Sequence, residues 1–230
     1  LLMPKIKEKL VITGCDTNTE WQLPWFIENY SKYNTISLCV ADFGMSESML
    51  KFVDNHPYVY CIMHMQKEES ENSKAWFYKP IAMSNVPAKK GVWLDTDCQV
   101  LGNIEGIFNH IEKNKLSMAV DRPWLLRRKE EWHNSGVVGF EGKPEILTQW
   151  AKECKNNPVV GDQEVLHSIL NPITKMTYIK ELPNIYNWLR LQIENDGEDS
   201  KDKKIMHWTG QKGNDRIRGL MKIQEVISNA

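Results

Sequence analysis

The run Gly91-Val92-Trp93-Leu94 ends in Asp95-Thr96-Asp97 and is followed by Cys98-Gln99-Val100-Leu101. A short unbroken apolar run bounded by polar residues is a strand covered on both faces, and such a strand needs helices on both sides of its sheet. Strand-like runs at residues 9–14, 35–40, 58–63 and 91–95 alternate with segments of helical spacing at 20–30, 47–52 and 73–83. That alternation over the first 115 residues predicts an α/β chain with a mostly parallel, three-layer sheet. Side chains two apart on a strand point the same way, so Asp95 and Asp97 leave its C-terminal end together. Ligands of open α/β sheets bind outside the carboxyl ends of the strands. Two carboxylates there suit a divalent cation whose shell is completed by phosphate oxygens.

Acidic triplets also occur as plain turns. This one gains weight from three later segments: residues 133–140 (His-Asn-Ser-Gly-Val-Val-Gly-Phe), Gly161-Asp162-Gln163-Glu164, and His207-Trp208-Thr209-Gly210-Gln211-Lys212.

The 230 residues, 41% of them hydrophobic, suit one domain with a sizeable core. A formal net charge of -1 gives no pull toward nucleic acid or anionic membrane. No run of about 18 apolar residues and no signal peptide is present, so no membrane span is expected. Leu1-Leu2 ahead of Met3 reads as the remnant of a longer chain, in which a membrane anchor can have been lost. The five cysteines show no Cys-x-x-Cys spacing, which predicts reduced thiols and a cytoplasmic setting.

Beyond residue 100, helical spacing at 104–113, 143–154, 163–170 and 216–228 predicts four helices, and 116–119, 136–140, 176–179 and 205–208 read as strands. Pro80 is expected to kink the helix over 73–83. The polar stretch 194–204 reads as a mobile surface loop with a lid as its functional alternative.

The order of these segments resembles the GT-A fold glycosyltransferases. The nearest type is glycosyltransferase family 8, which includes glycogenin and bacterial lipopolysaccharide galactosyltransferases. A weaker likeness runs to the plant family 34 enzymes. The resemblance covers residues 10–212 by motif order. It implies a GT-A, Rossmann-like three-layer sandwich with a mostly parallel central sheet and a smaller antiparallel edge. It further implies one domain over residues 1–230, with a nucleotide-sugar half at about 9–120 and an acceptor and catalytic half at about 121–230.

Carried onto this chain, the resemblance implies that Thr13, Gly14 and Asp16 hold the nucleotide and that Lys79, sixteen residues before Asp95, contacts the donor. Asp95 and Asp97 match the metal- and donor-binding Asp-x-Asp, and Asp121 matches an acidic residue facing the transferred sugar. Asn134-Ser135-Gly136 matches the Asn-Ser-Gly before a buried strand, and Asn134 and Ser135 are placed toward the acceptor. Asp162-Gln163 matches the pair facing the anomeric carbon. His207 and Gly210 match a His-x-x-Gly whose histidine is the third protein ligand of Mn²⁺. The family continues Gly-x-x-Lys-Pro-Trp, whereas this chain reads Gly210-Gln211-Lys212-Gly213-Asn214-Asp215. Lys212 as a diphosphate ligand thus stands beside Arg216 and Arg218 as alternatives.

The chemistry expected of such a site is transfer of a hexose or related sugar from a nucleotide sugar, foremost a UDP-sugar, to a glycan or other hydroxyl acceptor. A cation held by Asp95, Asp97 and His207 neutralises the departing diphosphate. Two carboxylates and an imidazole suit Mn²⁺ better than Mg²⁺, which remains the second candidate. Asp162 is either the general base or a group that positions the donor; its structural alternative is a helix N-cap. Trp124 and Trp132 are candidates to stack on acceptor sugars, against a plain packing role. Lys79 alternatively covers Trp76 with its stem and leaves its charge in solvent. Two rivals remain: a nucleotidyltransferase, disfavoured because Gly14-Cys15-Asp16-Thr17 is not a Gly-rich phosphate loop, and a non-catalytic nucleotide-sugar- or carbohydrate-binding module.

Overall fold

The computed structural model describes residues 4–65 and 74–228. β1 (Lys7–Cys15) is followed by α1 (Leu23–Ser31), β2 (Leu38–Asp42), α2 (Glu47–Asp54), β3 (Val59–His64), α3 (Lys79–Asn85) and β4 (Ala88–Leu94). These four strands are parallel, in the spatial order β3-β2-β1-β4. The chain winds outward from β1 to β3, then returns to the other side of β1. The crossovers change face with it: α1 and α2 pack on one side of the sheet and α3 on the other. Where they diverge, at the C-terminal ends of β1 and β4, an α/β sheet leaves a crevice.

The buried strands show how the sequence fills three layers. Val11 on β1 and Val92 and Leu94 on β4 face one core, with Trp25, Phe26 and Tyr30 of α1. Leu10, Ile12 and Trp93 face the other. Every residue of the run 91–94 is buried, as an apolar strand between two helical layers must be.

The second half adds β5 (Cys98–Val100), β6 (Leu116–Met118), α4 (Arg122–Arg128), β7 (Val137–Glu141), α5 (Glu145–Asn156) and α6 (Asp162–Ser168). Then follow α7 (Pro172–Tyr178), β8 (Ile179–Glu181), β9 (Trp188–Leu189), α8 (Arg190–Glu194), β10 (Ile205–His207) and α9 (Gly210–Ser228). The main sheet has seven strands, order β3-β2-β1-β4-β7-β6-β8, mostly parallel as expected. Its antiparallel member is β7, set between β4 and β6. β5, β10 and β9 form a small second sheet. No helix among the described residues is long and apolar enough to cross a membrane.

Several local expectations are corrected. The helix expected over 104–113 is a 3₁₀ segment, Glu105–His110. Ile104, Ile107, Phe108 and Ile111 are buried at helical spacing, but Gly106 weakens the helix and packs directly beneath the Tyr186 hydroxyl. Pro80 does not kink a helix; it lies in the first turn of α3, where proline is tolerated, after a separate 3₁₀ turn at Ala75–Tyr78. The start expected at Ser73 lies outside the described residues. The strand expected over 176–179 is the end of α7 and the first residue of β8. Asn171, Pro172 and Thr174 form a capping box with proline in the first turn, and that start signal overrides the short apolar run. The charged segment that follows Asp121 forms α4, capped by the Asp121 side chain accepting from Trp124 N–H. The stretch 194–204 is anchored at Glu198, which takes two bonds from Arg122 (2.9 and 2.7 Å) and accepts from Trp188 Nε1 through its carbonyl.

Gly91 pairs with Phe140 across β4 and β7. A Cβ there would lie 2.5 Å from Phe140 Cζ and 2.9 Å from Ile12 Cδ1, both buried. Gly91→Ala should therefore destabilise the protein by about 1–3 kcal/mol through overpacking. Adding Phe140→Leu should recover part of that loss, read as non-additivity in urea unfolding. Strictly additive costs would place the strain elsewhere.

Candidate active site at the end of β4

A cleft of about 970 Å³ opens at the crevice between β1 and β4. Residues 14–16 reach it from β1, 95–97 from the end of β4, 134–136 from the start of β7, 161–164 from the start of α6, and His207 from β10. The antiparallel direction of β7 is what brings 134–136 there, since β7 begins where β4 ends and Asp95 N–H donates to the Gly136 carbonyl at 2.9 Å. His207 arrives through the small sheet, paired opposite Cys98, with Trp208 N–H donating to the Asp97 carbonyl. Asp95 and Asp97 lie in a tight turn closed by Cys98 N–H on the Asp95 carbonyl, so a turn and not strand alternation aims them.

Lys79, expected at the donor or in solvent, is buried with 3% of its surface exposed. Its ammonium lies 3.0 Å from Asp95 Oδ1, 2.9 Å from Asp162 Oδ2 and 3.0 Å from the Ser135 carbonyl. The Ser135 Oγ and Asp95 Oδ2 lie within 3.3 Å as well, so the buried ammonium is surrounded by acceptors from the chain itself. Burial opposes its charge, but Asp162 and Asp95 together hold the ammonium above its ordinary value. Burial also raises Asp95, yet Lys79 and His207 outweigh it and keep this carboxyl low; Trp93 Nε1–H adds a 2.6 Å bond to Oδ1. Asp162 goes the other way: burial and the charge of Asp95 push it up despite Lys79. One ammonium shared by two buried carboxylates sets them apart.

Asp162 is not a helix cap. Gly161 occupies the cap position and Asp162 begins α6, with no capping bond from its side chain. Gln163 is held at both ends, Oε1 accepting from Ser135 N–H (3.1 Å) and Nε2 donating to Asp121 Oδ2 (3.0 Å). Asp121 caps α4 and orients Gln163 but does not line the cleft.

On the other flank, His207 Nε2 lies 3.1 Å from Asp97 Oδ1 and 3.9 Å from Asp95 Oδ2. Burial works against a charged imidazole, but Asp97 and Asp95 raise its proton affinity above the ordinary value. The ring sits directly over Gly136, in space a Cβ would fill. Ligand atoms of Asp97, Cys98 and His207 lie within 4.8 Å of one another. Burial, with Asp97 and Asp95, keeps the Cys98 thiol protonated, so the donor set that suits a hard or borderline cation is Asp95, Asp97 and His207.

The remaining expected residues divide. Gly14 and Asp16 line the cleft; Thr13 is fully buried behind them. Both Asp16 oxygens accept within its own turn, from Asn18 N–H (3.0 Å), Asn18 Nδ2 (2.9 Å) and Thr19 Oγ1 (3.3 Å), so Asp16 shapes this rim. Asn134 and Ser135 line the cleft. Lys212 is exposed on α9 outside it, and the family's lysine position carries Gly213, packed on the Trp208 carbonyl. Trp124 and Trp132 stack on each other at 4.3 Å, with the Arg128 guanidinium over the Trp124 ring and His167 stacked on Trp132 (4.7 Å), so both indoles take part in a packed, half-buried stack.

Sequence reasoning missed Trp93, Gln22 and Asn187. Gln22 Oε1 accepts from Thr96 Oγ1 (2.6 Å) and its Nε2 donates to Asn214 (2.8 Å), tying the Asp-Thr-Asp turn to α9. Trp93 reaches Asp95 Oδ1 from the end of β4, through Nε1–H. Gln22 and Asn187 have no local pattern, because their partners are far away in the sequence.

No model of a known protein family and no curated protein matches the chain. Solved structures do. The galactosyltransferase LgtC, in complex with donor and acceptor sugar analogs, superposes with a TM-score of 0.61 at 14% identity over 87% of each chain. The apo-form glycosyltransferase GlyE of Streptococcus pneumoniae TIGR4 gives a TM-score of 0.64 at 16% identity, over 89% of this chain and 55% of GlyE. Apo mouse xyloside xylosyltransferase 1 gives 0.52 at 14% identity, over 87% and 97%. The architecture is thus that of the GT-A glycosyltransferases.

The stacked wall makes an acid-stability prediction. Burial lowers both His133 and His167 to about 4, from an ordinary 6.5. Between those values the unfolded chain binds protons that the folded one does not, so stability falls as pH drops from about 6.5 to 4. The expected loss is roughly 2–3 kcal/mol per histidine. His167→Gln keeps an acceptor for the His133 N–H (3.0 Å in the native protein) but removes one titration. Urea unfolding of this variant should show a shallower acid slope, and an unchanged slope would contradict the assignment.

Proposed function

We propose that this protein is a metal-dependent glycosyltransferase. In this reading it moves a hexose or related sugar from a nucleotide sugar, most naturally a UDP-sugar, to a hydroxyl of a glycan or similar acceptor. The observation that carries the reading is the convergence of Asp95, Asp97 and His207 on one side of the cleft with Asp162 and Gln163 on the other, within a GT-A fold. Two carboxylates and an imidazole aimed at a common point, over a glycine that leaves room for the ring, fit Mn²⁺, and Mg²⁺ less well. When bound, the ion supplies positive charge to the departing diphosphate.

The chain's own residues do the rest. Asp95, held low against burial by Lys79 and His207, and Asp97 beside it both lie close to the leaving group. The rim built by Gly14 and Asp16 receives the nucleoside. Lys79 balances Asp95 and Asp162 and ties both carboxylates to one ammonium. Asp162, whose carboxyl is pushed above its ordinary value by burial and the charge of Asp95, faces the transferred sugar as a base or as a stabiliser of developing positive charge. Gln163, fixed by Ser135 and Asp121, donates or accepts beside it.

Screening UDP- and GDP-sugars with Mn²⁺, for release of the nucleoside diphosphate and for thermal stabilisation, tests the reading. A true donor at a hundred times its Kd should raise stability by about 2.7 kcal/mol. Asp97→Ala should abolish Mn²⁺-dependent UDP binding while leaving the fold intact, because that carboxylate is partly exposed and carries little packing. Retained Mn²⁺ affinity in this variant would remove the metal site. Binding without turnover in the native protein would identify a binding module instead.

Asp162→Asn separates chemistry from binding. Transfer should drop by about 10²-fold or more, with donor affinity nearly unchanged. A variant that transfers at the native rate takes Asp162 out of the reaction and leaves the role to Gln163.

A further inference from the structure

Four buried polar side chains run from the start of α4 to the tip of β10: Asp121, Asn134, Asn187 and His207. Their hydrogen bonds fix one another's direction. The Gly136 N–H is a backbone donor that cannot be reversed, and it meets Asn134 Oδ1 at 3.0 Å. The other end of that amide, Nδ2, faces the acceptor Asp121 Oδ2 at 3.4 Å. Asn134 is thus oriented from both ends. Its Oδ1 also takes a bond from Asn187 at 3.0 Å, and a carbonyl oxygen can only accept, so the contributing atom is Asn187 Nδ2. Asn187 Oδ1 is then the atom left 3.0 Å from His207 Nδ1. An amide oxygen cannot donate, so Nδ1 carries the proton. The lone pair of the neutral ring is on Nε2, the nitrogen facing Asp97 and Asp95.

We propose that Asn187, fully buried and named by no motif, is the positioning residue that locks His207 in its Nδ1–H tautomer and aims the Nε2 lone pair at the space shared with Asp95 and Asp97. The alternative tautomer would point an N–H at that space and repel a cation. Partners of this kind fix ring orientation and typically change metal affinity 10- to 100-fold. Asn187 also joins the two halves of the site. Through Asn134 and Asp121 it connects the imidazole to the side chain that orients Gln163. The inference rests on the metal-binding reading above, so its test needs a readout that is independent of that reading.

Two measurements suffice. Long-range ¹H–¹⁵N spectra of the metal-free protein, at a pH where the ring is neutral, should show His207 protonated at Nδ1 with slow solvent exchange. In Asn187→Ala that proton should exchange rapidly, or both tautomers should appear. Titration with Mn²⁺ alone should show affinity about 10- to 100-fold weaker for Asn187→Ala. Asn187→Asp keeps an acceptor for the Nδ1 proton but loses the bond to Asn134, and should bind Mn²⁺ more tightly than Asn187→Ala. It also serves as the second variant if the alanine form unfolds. An unprotonated Nδ1 in the native protein, or equal Mn²⁺ affinity in native and Asn187→Ala forms, overturns the inference. If the native protein binds no Mn²⁺, the metal-binding reading falls, and the nitrogen spectra alone decide the role of Asn187.

Discussion

The ammonium of Lys79, buried between Asp95 and Asp162, is the interaction on which the rest of the site depends. It joins three separate pieces of chain: the turn after β4, the start of α6, and the loop entering β7 through the Ser135 carbonyl. Burying these charges is costly, and an ion pair of this kind is weak evidence of net stabilisation. Removing one member is another matter, because it leaves the others uncompensated at a cost of about 3–5 kcal/mol. The arrangement also divides the carboxylates by character. Asp95, beside both Lys79 and His207, is held ionised, and Asp162, with a share of one ammonium, is held less firmly. Two similar side chains a short distance apart, sharing one ammonium, are thereby shifted in opposite directions.

The sheet determines where this cluster forms. Return of the chain from β3 to the far side of β1 opens the crevice at β4, and reversal of β7 turns the Asn134-Ser135-Gly136 segment into that crevice. The second sheet then brings β10 alongside β5, which sets His207 against Asp97. Glycine at 136 is required by the ring lying on it, not by the backbone. The stack of Arg128, Trp124, Trp132 and His167 closes the side behind Asp121, through ring faces that cover one another.

Much of this was legible in the sequence, and the remainder was not for identifiable reasons. Apolar runs and their alternation with helical spacing located β1 to β4, because burial on both faces leaves an unbroken signature. Asp95 and Asp97 were identifiable because strand ends mark the edge where an α/β sheet binds ligands, whereas Asp162 and His207 were marked by the resemblance to glycosyltransferase family 8. The α4 and α7 starts were legible in principle, as Asp121 with Pro123 and Asn171 with Pro172, but the charged and apolar runs beside them drew the reading elsewhere. The burial of Lys79 had no such mark, since a lysine after three aromatic residues looks the same whether its head is in solvent or between carboxylates. Asn187 lies twenty residues from His207 and fifty-three from Asn134, and no spacing rule spans contacts made only when β9 and β10 pair.

The late position of β10 has a consequence for the order in which the site is completed. A chain leaving the ribosome presents β1 to β4 first, and with them the turn that carries Asp95 and Asp97. Lys79 precedes that turn and can neutralise Asp95 as soon as the strands pair, whereas His207 emerges more than a hundred residues later. Domains larger than about 150 residues commonly fold through partly structured intermediates. For this chain, any intermediate lacking β10 holds two carboxylates and their lysine but no imidazole. The fully formed constellation is thereby restricted to molecules in which β10 has docked beside β5.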